Sequence, residues 1–182
     1  TGSGQTSALF NGGPDEDQAE AVVKHLCEVL VELHSCAIDK IDPDGALTDP
    51  FHRGIDIKSW DAFIDSTIEF FATSYTSLNY DPMLMIALDA IYTLRRNKPR
   101  PMPLAIVHGD FNPANFLYEN GQVSALIDWE ASRVGDPRED LGWMVLMDVV
   151  SNTHVMDYPK KEGGFLAYYN KLTGNDITPE EL

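Results

Sequence analysis

Apolar positions recur along this chain at two different periods, and the change of period marks its organisation. Val22, Leu26, Val29, Leu30 and Leu33 lie three and four residues apart, the spacing of a helix with one apolar face. Asp15 stands where an N-cap belongs, with Gln18 three positions on in capping-box spacing. The pattern predicts a helix over 16–35. Residues 36–57 contain Pro43, Gly45, Pro50 and Gly54 and read as mostly irregular. A second helix is predicted after Ser59, with Trp60, Phe63, Ile64, Ile68, Phe71 and Tyr75 on one wide apolar face. Asp81-Pro82 is a cap followed by a first-turn proline, and Leu84, Leu88, Ile91 and Leu94 continue a third helical stripe. Pro99, Pro101 and Pro103 end it.

The period shortens after Pro103. Leu104-Ala105-Ile106-Val107 reads as a short buried strand. Phe116-Leu117-Tyr118 and Val123 to Ile127 flank Asn120-Gly121, the signal of a hairpin with a type I′ turn. Asp136-Pro137 opens a helix through Leu141, Val145 and Val149, and a further helix covers roughly 162–172 and stops at Gly174. Thr178-Pro179-Glu180-Glu181 is a cap, a first-turn proline and two acidic residues. It announces one more helix just where the chain stops, which reads as a C-terminal truncation. Residues 1–14 are small, polar and glycine-rich and read as a linker or hinge.

Composition narrows the partners. The chain has 182 residues, enough for one domain with a core, and 43% are hydrophobic. It carries 29 acidic against 13 basic residues, a formal net charge of −16. Phosphate backbones and anionic membranes repel such a surface, so nucleic acid and membrane are excluded as partners. A small cationic molecule would be attracted, although the acidic residues between Asp39 and Asp61 also read as a solvated loop. No apolar stretch approaches the roughly 20 residues of a membrane span. Cys27 and Cys36 alone do not make a disulfide framework, and the expected setting is the cytoplasm.

The chemistry concentrates in Val107-His108-Gly109-Asp110-Phe111-Asn112-Pro113-Ala114-Asn115-Phe116 and in Ile127-Asp128-Trp129-Glu130. Asn115 follows Asp110 by five positions, and Asp128 follows Asn115 by thirteen. This places two carboxylates and a carboxamide at the tips of neighbouring short strands. Phosphoryl transfer needs a cation bridging the phosphates, an acceptor hydroxyl in line and a group to take its proton. Magnesium prefers oxygen ligands, often one or two from the protein and the rest from phosphates and water. Asn115 and Asp128 suit the cation, and Asp110 suits the hydroxyl. A turn residue at Asp110, a turn cap at Asn115 and a helix cap at Asp128 are the plainer readings of each residue alone. His108 and His34 read as packed, hydrogen-bonded histidines, and Asp136 as a helix cap.

The ordered stretches H-G-D-F-N-P-A-N, I-D-W-E and G-D-P-R-E-D-L resemble the aminoglycoside phosphotransferase and choline kinase family, relatives of the eukaryotic protein kinases. The resemblance covers about residues 15–175. It implies an α+β fold, mainly helical: the C-terminal lobe of a protein-kinase-like fold, with a small β-hairpin carrying the catalytic and metal-binding loops. It implies Asp110 as the catalytic residue, Asn115 and Asp128 as magnesium ligands, and His108 and Asp140 as braces of the catalytic loop. Glu130, beside the metal ligand, is a candidate for touching substrate or a metal-bound water, with a surface acid as the plainer reading. The implied reaction is transfer of the γ-phosphate of ATP, or of another nucleoside triphosphate, to a hydroxyl of a small molecule. Aminoglycosides, macrolides, choline and related metabolites all fit. Residues 15–182 would form the lobe, with a catalytic core over about 104–150 and a helical insert over about 36–98 that selects the acceptor together with the last helices of the lobe.

Such kinases also have an N-terminal lobe with a nucleotide-covering hairpin and a phosphate-pairing lysine. Neither is found here; the first lysine, Lys24, lies on a predicted helix. The chain as given is therefore expected to transfer phosphate slowly or not at all. A non-catalytic kinase-like binding or regulatory module is the competing reading. Nothing in the sequence fixes the acceptor or the oligomeric state.

Overall fold

The computed structural model describes residues 3–5, 15–76 and 83–182. They fall into two compact units, residues 1–41 with 104–182 and residues 42–103. The rest of the expected 1–14 linker and the expected Asp81-Pro82 helix start lie outside the described residues.

The first unit is organised by helix α1, Glu16–His34. The Asp15 side chain accepts the N–H groups of Asp17 and Gln18, two donors that the first turn leaves without helical partners. Its apolar face puts Ala19, Val22, Val23, Leu26, Cys27 and Leu30 out of contact with water. A short helix, α2, covers Ile38–Ile41. Strand β2, Ala105–Val107, pairs antiparallel with β5, Arg133–Gly135. Strands β3, Phe116–Glu119, and β4, Gln122–Leu126, form the predicted hairpin. Asn120 and Gly121 both have positive φ, 52° and 79°, as a type I′ turn demands. Helix α1 packs on β2, β4 and α6, Phe165–Thr173. His25 Nδ1 accepts the Val123 N–H at 2.9 Å, which ties α1 to the hairpin by a polar bond as well.

Helix α5 runs Arg138–Ser151. Asp136 still accepts the Arg138 N–H at 2.9 Å, as a cap would, and also grips the buried Arg138 guanidinium. Arg138 in turn reaches Glu181 at 3.2 Å. Residues Pro179–Glu181 form a single 3-10 turn, with Thr178 as the expected cap and Glu181 completing a capping box. The 16–35, 162–172 and hairpin expectations therefore hold to within a few residues. Two strands differ from expectation. Ser3–Gln5, expected as linker, is strand β1, antiparallel to β3. Arg133–Gly135 had no strand reading. Each is three residues long and borrows its pairing from a neighbour, so no alternating pattern of its own announces it.

The second unit is a helix pair. Helix α3, Trp60–Thr76, and helix α4, Met83–Arg96, pack together. Ser59 Oγ accepts the Ala62 N–H, and Trp60 Nε1 donates to the Pro99 carbonyl at 3.1 Å. Phe63, Ile64, Ile68 and Ile91 are buried, but Phe71 and Leu94 of the expected apolar faces stay 37% and 43% exposed. Two helices bury only a seam, narrower than the stripe the sequence offers. The acidic loop before α3 uses its carboxylates on its own backbone. Asp42 accepts from the Leu47 N–H, and Asp49 from Arg53 and Gly54.

Candidate active site

The chain leaves β2 at Val107 and enters a loop that has almost no conformational freedom. Gly109 has φ +80°, and a Cβ there would lie 2.2 Å from the Ala131 carbonyl oxygen. Asp140, in the first turn of α5, is fully buried. Its Oδ1 accepts the Gly109 N–H at 2.8 Å and its Oδ2 the His108 N–H at 2.8 Å. Oδ2 also meets His34 Nε2 at 3.1 Å, while His34 Nδ1 lies 2.8 Å from the Tyr169 hydroxyl. The last turn of α1, the start of α5 and helix α6 thus hold one loop through one carboxylate. Burying a carboxylate is costly, and its donors offset that cost.

His108 sets the next turn. Its Nε2 donates to the Ile127 carbonyl at 3.0 Å, and its Nδ1 accepts the Asp110 N–H at 3.3 Å. One ring nitrogen as donor and the other as acceptor describes a neutral imidazole, and places it as a strut between this loop and the end of β4. Trp129 stacks against it with ring centroids 4.6 Å apart.

Asp110 is the hub. Its Oδ1 accepts from Asn112 Nδ2 at 2.8 Å and from Trp143 Nε1 at 2.6 Å. Its Oδ2 accepts from Asn115 Nδ2 at 2.6 Å. The Asn115 carboxamide nitrogen also bonds the Asp110 carbonyl at 2.9 Å, so Oδ1 of Asn115 is the oxygen left to face a ligand. The Asn115 carbonyl accepts the Ile127 N–H at 2.9 Å, continuing the β3–β4 ladder past Phe116 and Leu126. That ladder sets Asn115 and Asp128 at the same end of the hairpin. Asp128 is exposed and adopts the left-handed conformation, φ 67° and ψ 58°. Such a conformation costs an L-residue about 1 kcal/mol, and strain of this kind gathers at functional sites. Glu130 is exposed on the 3-10 turn that follows.

Among the described residues, no three His, Cys, Asp or Glu side chains gather into a metal cage. The oxygens at this end of the hairpin belong to the Asn115 carboxamide and the Asp128 carboxylate. That pair suits magnesium shared with phosphates, which needs only one or two protein ligands.

Residues 3–174 match the model of the Phosphotransferase enzyme family. The chain belongs to that family. Among curated proteins, this phosphotransferase-family chain is 28% identical over 138 residues to the mouse Acyl-CoA dehydrogenase family member 10, covering 74% of the chain and 12% of the relative. It is 29% identical over 62 residues to the uncharacterized protein YcbJ of Bacillus subtilis (strain 168), covering 33% of the chain and 20% of the relative. Among solved structures it superposes on an aminoglycoside-3'-phosphotransferase of type VIII with a TM-score of 0.60 at 20% identity, over 92% of the chain and 58% of that protein. A macrolide 2'-phosphotransferase type I gives 0.58 at 19%, over 92% and 49%. A choline/ethanolamine kinase family protein from Mesorhizobium loti gives 0.55 at 21%, over 100% and 51%. The chain spans about half the length of these solved relatives. The fold is that of a protein-kinase-like C-terminal lobe, mainly helical with small sheets, as the motifs implied.

The structure brings His108, Asp110, Asn115 and Asp140 into one hydrogen-bonded unit, with Asp128 at the adjoining strand end. His34, expected as a packed, hydrogen-bonded histidine, carries the brace one residue further. The phosphotransferase motifs gave no sign of three other contributors. Asn112 bonds both the carbonyl and the carboxylate of Asp110. Arg133 donates to the Ala131 carbonyl at 2.9 Å and pairs with Glu139, holding the backbone turn that Gly109 approaches. Trp143 reaches Asp110 from α5. A tryptophan on a helix gives no such signal, because helical aromatics usually read as core.

Proposed function

We propose that this chain is the acceptor- and metal-holding half of an ATP-dependent, or other nucleoside-triphosphate-dependent, small-molecule kinase. The observation that carries the reading is the Asp110 carboxylate fixed by Asn112, Asn115 and Trp143 beside the hairpin end that bears Asp128. In this reading the acceptor hydroxyl gives its proton to Asp110 as its oxygen bonds the γ-phosphorus. The bond from that phosphorus to the nucleoside diphosphate breaks, and the electron pair leaves with the diphosphate. Asn115 Oδ1 and Asp128 hold magnesium, which when bound neutralises phosphate charge. His108 and Asp140 keep the loop from moving as charge shifts, and preorganisation of that kind is worth most where water is excluded. Glu130 is assigned to substrate or to a metal-bound water. Acceptor selection is assigned to the helical insert of about residues 36–98, as the family resemblance implies. The net charge of −16 favours a cationic acceptor, and the two free cysteines suit a cytoplasmic setting.

The test is titration calorimetry of a non-hydrolysable ATP analogue with magnesium, on the full-length protein that contains this chain. Asp128→Ala should abolish magnesium-dependent binding while costing at most about 1 kcal/mol of stability, because Asp128 is exposed and only its left-handed backbone suits Asp better than Ala. Binding that persists at wild-type affinity removes Asp128 from the metal site.

A further inference from the structure

Asp110 has more hydrogen-bond donors than its loop supplies. A carboxylate offers about four lone-pair positions, two on each oxygen. Oδ1 uses two, on Asn112 Nδ2 at 2.8 Å and Trp143 Nε1 at 2.6 Å. Oδ2 uses one, on Asn115 Nδ2 at 2.6 Å. Asn112 and Asn115 belong to the same loop as Asp110 and would move with it. Trp143 sits on α5, one turn beyond Asp140, the residue that anchors His108 and Gly109. The indole is 39% exposed, so burial alone does not explain where it sits.

The geometry points to Trp143 as a positioning residue that decides which oxygen of Asp110 does chemistry. The indole N–H closes the second lone pair of Oδ1. The remaining lone pair, on Oδ2, is then the one open to the acceptor hydroxyl. Helix α5 thereby holds the loop backbone through Asp140 and the reacting carboxylate through Trp143. Without the indole N–H, Oδ1 opens to water and to misdirected hydroxyls, and the carboxylate loses its tie to the helix. This inference rests on the phosphotransferase reading above.

The test uses Trp143→Phe, Asp110→Ala and the double variant of the full-length protein. Each is assayed with MgATP and choline, gentamicin and a macrolide as acceptors. Trp143→Phe keeps an aromatic ring and loses the N–H. Its kcat should fall about 10–100-fold, the scale on which misplacing a reacting group costs rate, with KM for MgATP unchanged. In the Asp110→Ala background the same change should have no further effect, because the indole acts through that carboxylate. In ¹H–¹⁵N spectra, the indole resonance of Trp143 should move in Asp110→Ala. Those of Trp60 and Trp129, bonded to the carbonyls of Pro99 and Leu126, should stay in place. An active protein whose Trp143→Phe variant keeps wild-type kcat overturns the inference alone. So does an equal loss in the Asp110→Ala background, or a Trp143 resonance indifferent to Asp110. A wild-type protein that phosphorylates none of the acceptors overturns the phosphotransferase reading and this inference with it.

Discussion

At the residue scale, two kinds of position can be separated by what they lose when changed. Asp140 accepts two backbone N–H groups and His34 at complete burial, so its removal strands buried donors. Each stranded donor costs about 1–3 kcal/mol. Asp140→Ala should therefore lower stability by about 3 kcal/mol or more in urea denaturation; a loss under about 1 kcal/mol would show that the loop holds without it. Gly109→Ala should be as damaging, since backbone at 2.2 Å cannot yield as a side chain does. The roles proposed for Asp110, Asn115 and Asp128 were legible because three spaced motifs agree. Trp143 was not, because Asp110 lies 33 positions away across the fold, and Asn112 was not, because its neighbour Asp110 is a partner that spacing alone does not single out.

At the scale of elements, what could be read was whatever carried its own punctuation. Helix α1 announced both ends, through Asp15 and the chain's loss of apolar period after Leu33. The hairpin announced its turn through Asn120-Gly121, whose backbone requires positive φ. Gly121→Val forces a β-branched residue into that region and should cost about 1–2 kcal/mol. Equilibrium unfolding checks this, and an unchanged midpoint would mean the turn has relaxed into another type. Strands β1 and β5 were illegible for the opposite reason, since three residues without turn signals carry no period. Their existence depends on β3 and β2, respectively.

At the scale of the molecule, α1 is the spine of the first unit, and its core position shows in its titration. Burial, reinforced by the Glu28 carboxylate, pushes the Cys27 thiol from an ordinary 9.0 up to about 12. Burial also raises the Tyr169 hydroxyl above the usual tyrosine range. For both groups the folded state holds its proton after the unfolded chain has released it. The Cys27 contribution is full below pH 9.0 and declines as pH rises from there toward about 12, and that of Tyr169 declines above pH 10.0. Thermal melts should show that alkaline decline, and a flat profile from pH 8 to 11 would contradict it. At pH 8 a thiol reagent should modify the half-buried Cys36 and spare Cys27. The whole account depends on Asp110 serving a phosphoryl transfer. The decisive measurement follows γ-³²P from ATP to the acceptor panel in the full-length protein, for wild type and Asp110→Ala. The account predicts a labelled acceptor from wild type and a loss of at least about 100-fold in Asp110→Ala, the low end for a positioned base. Labelling that survives the substitution at the wild-type rate would contradict it.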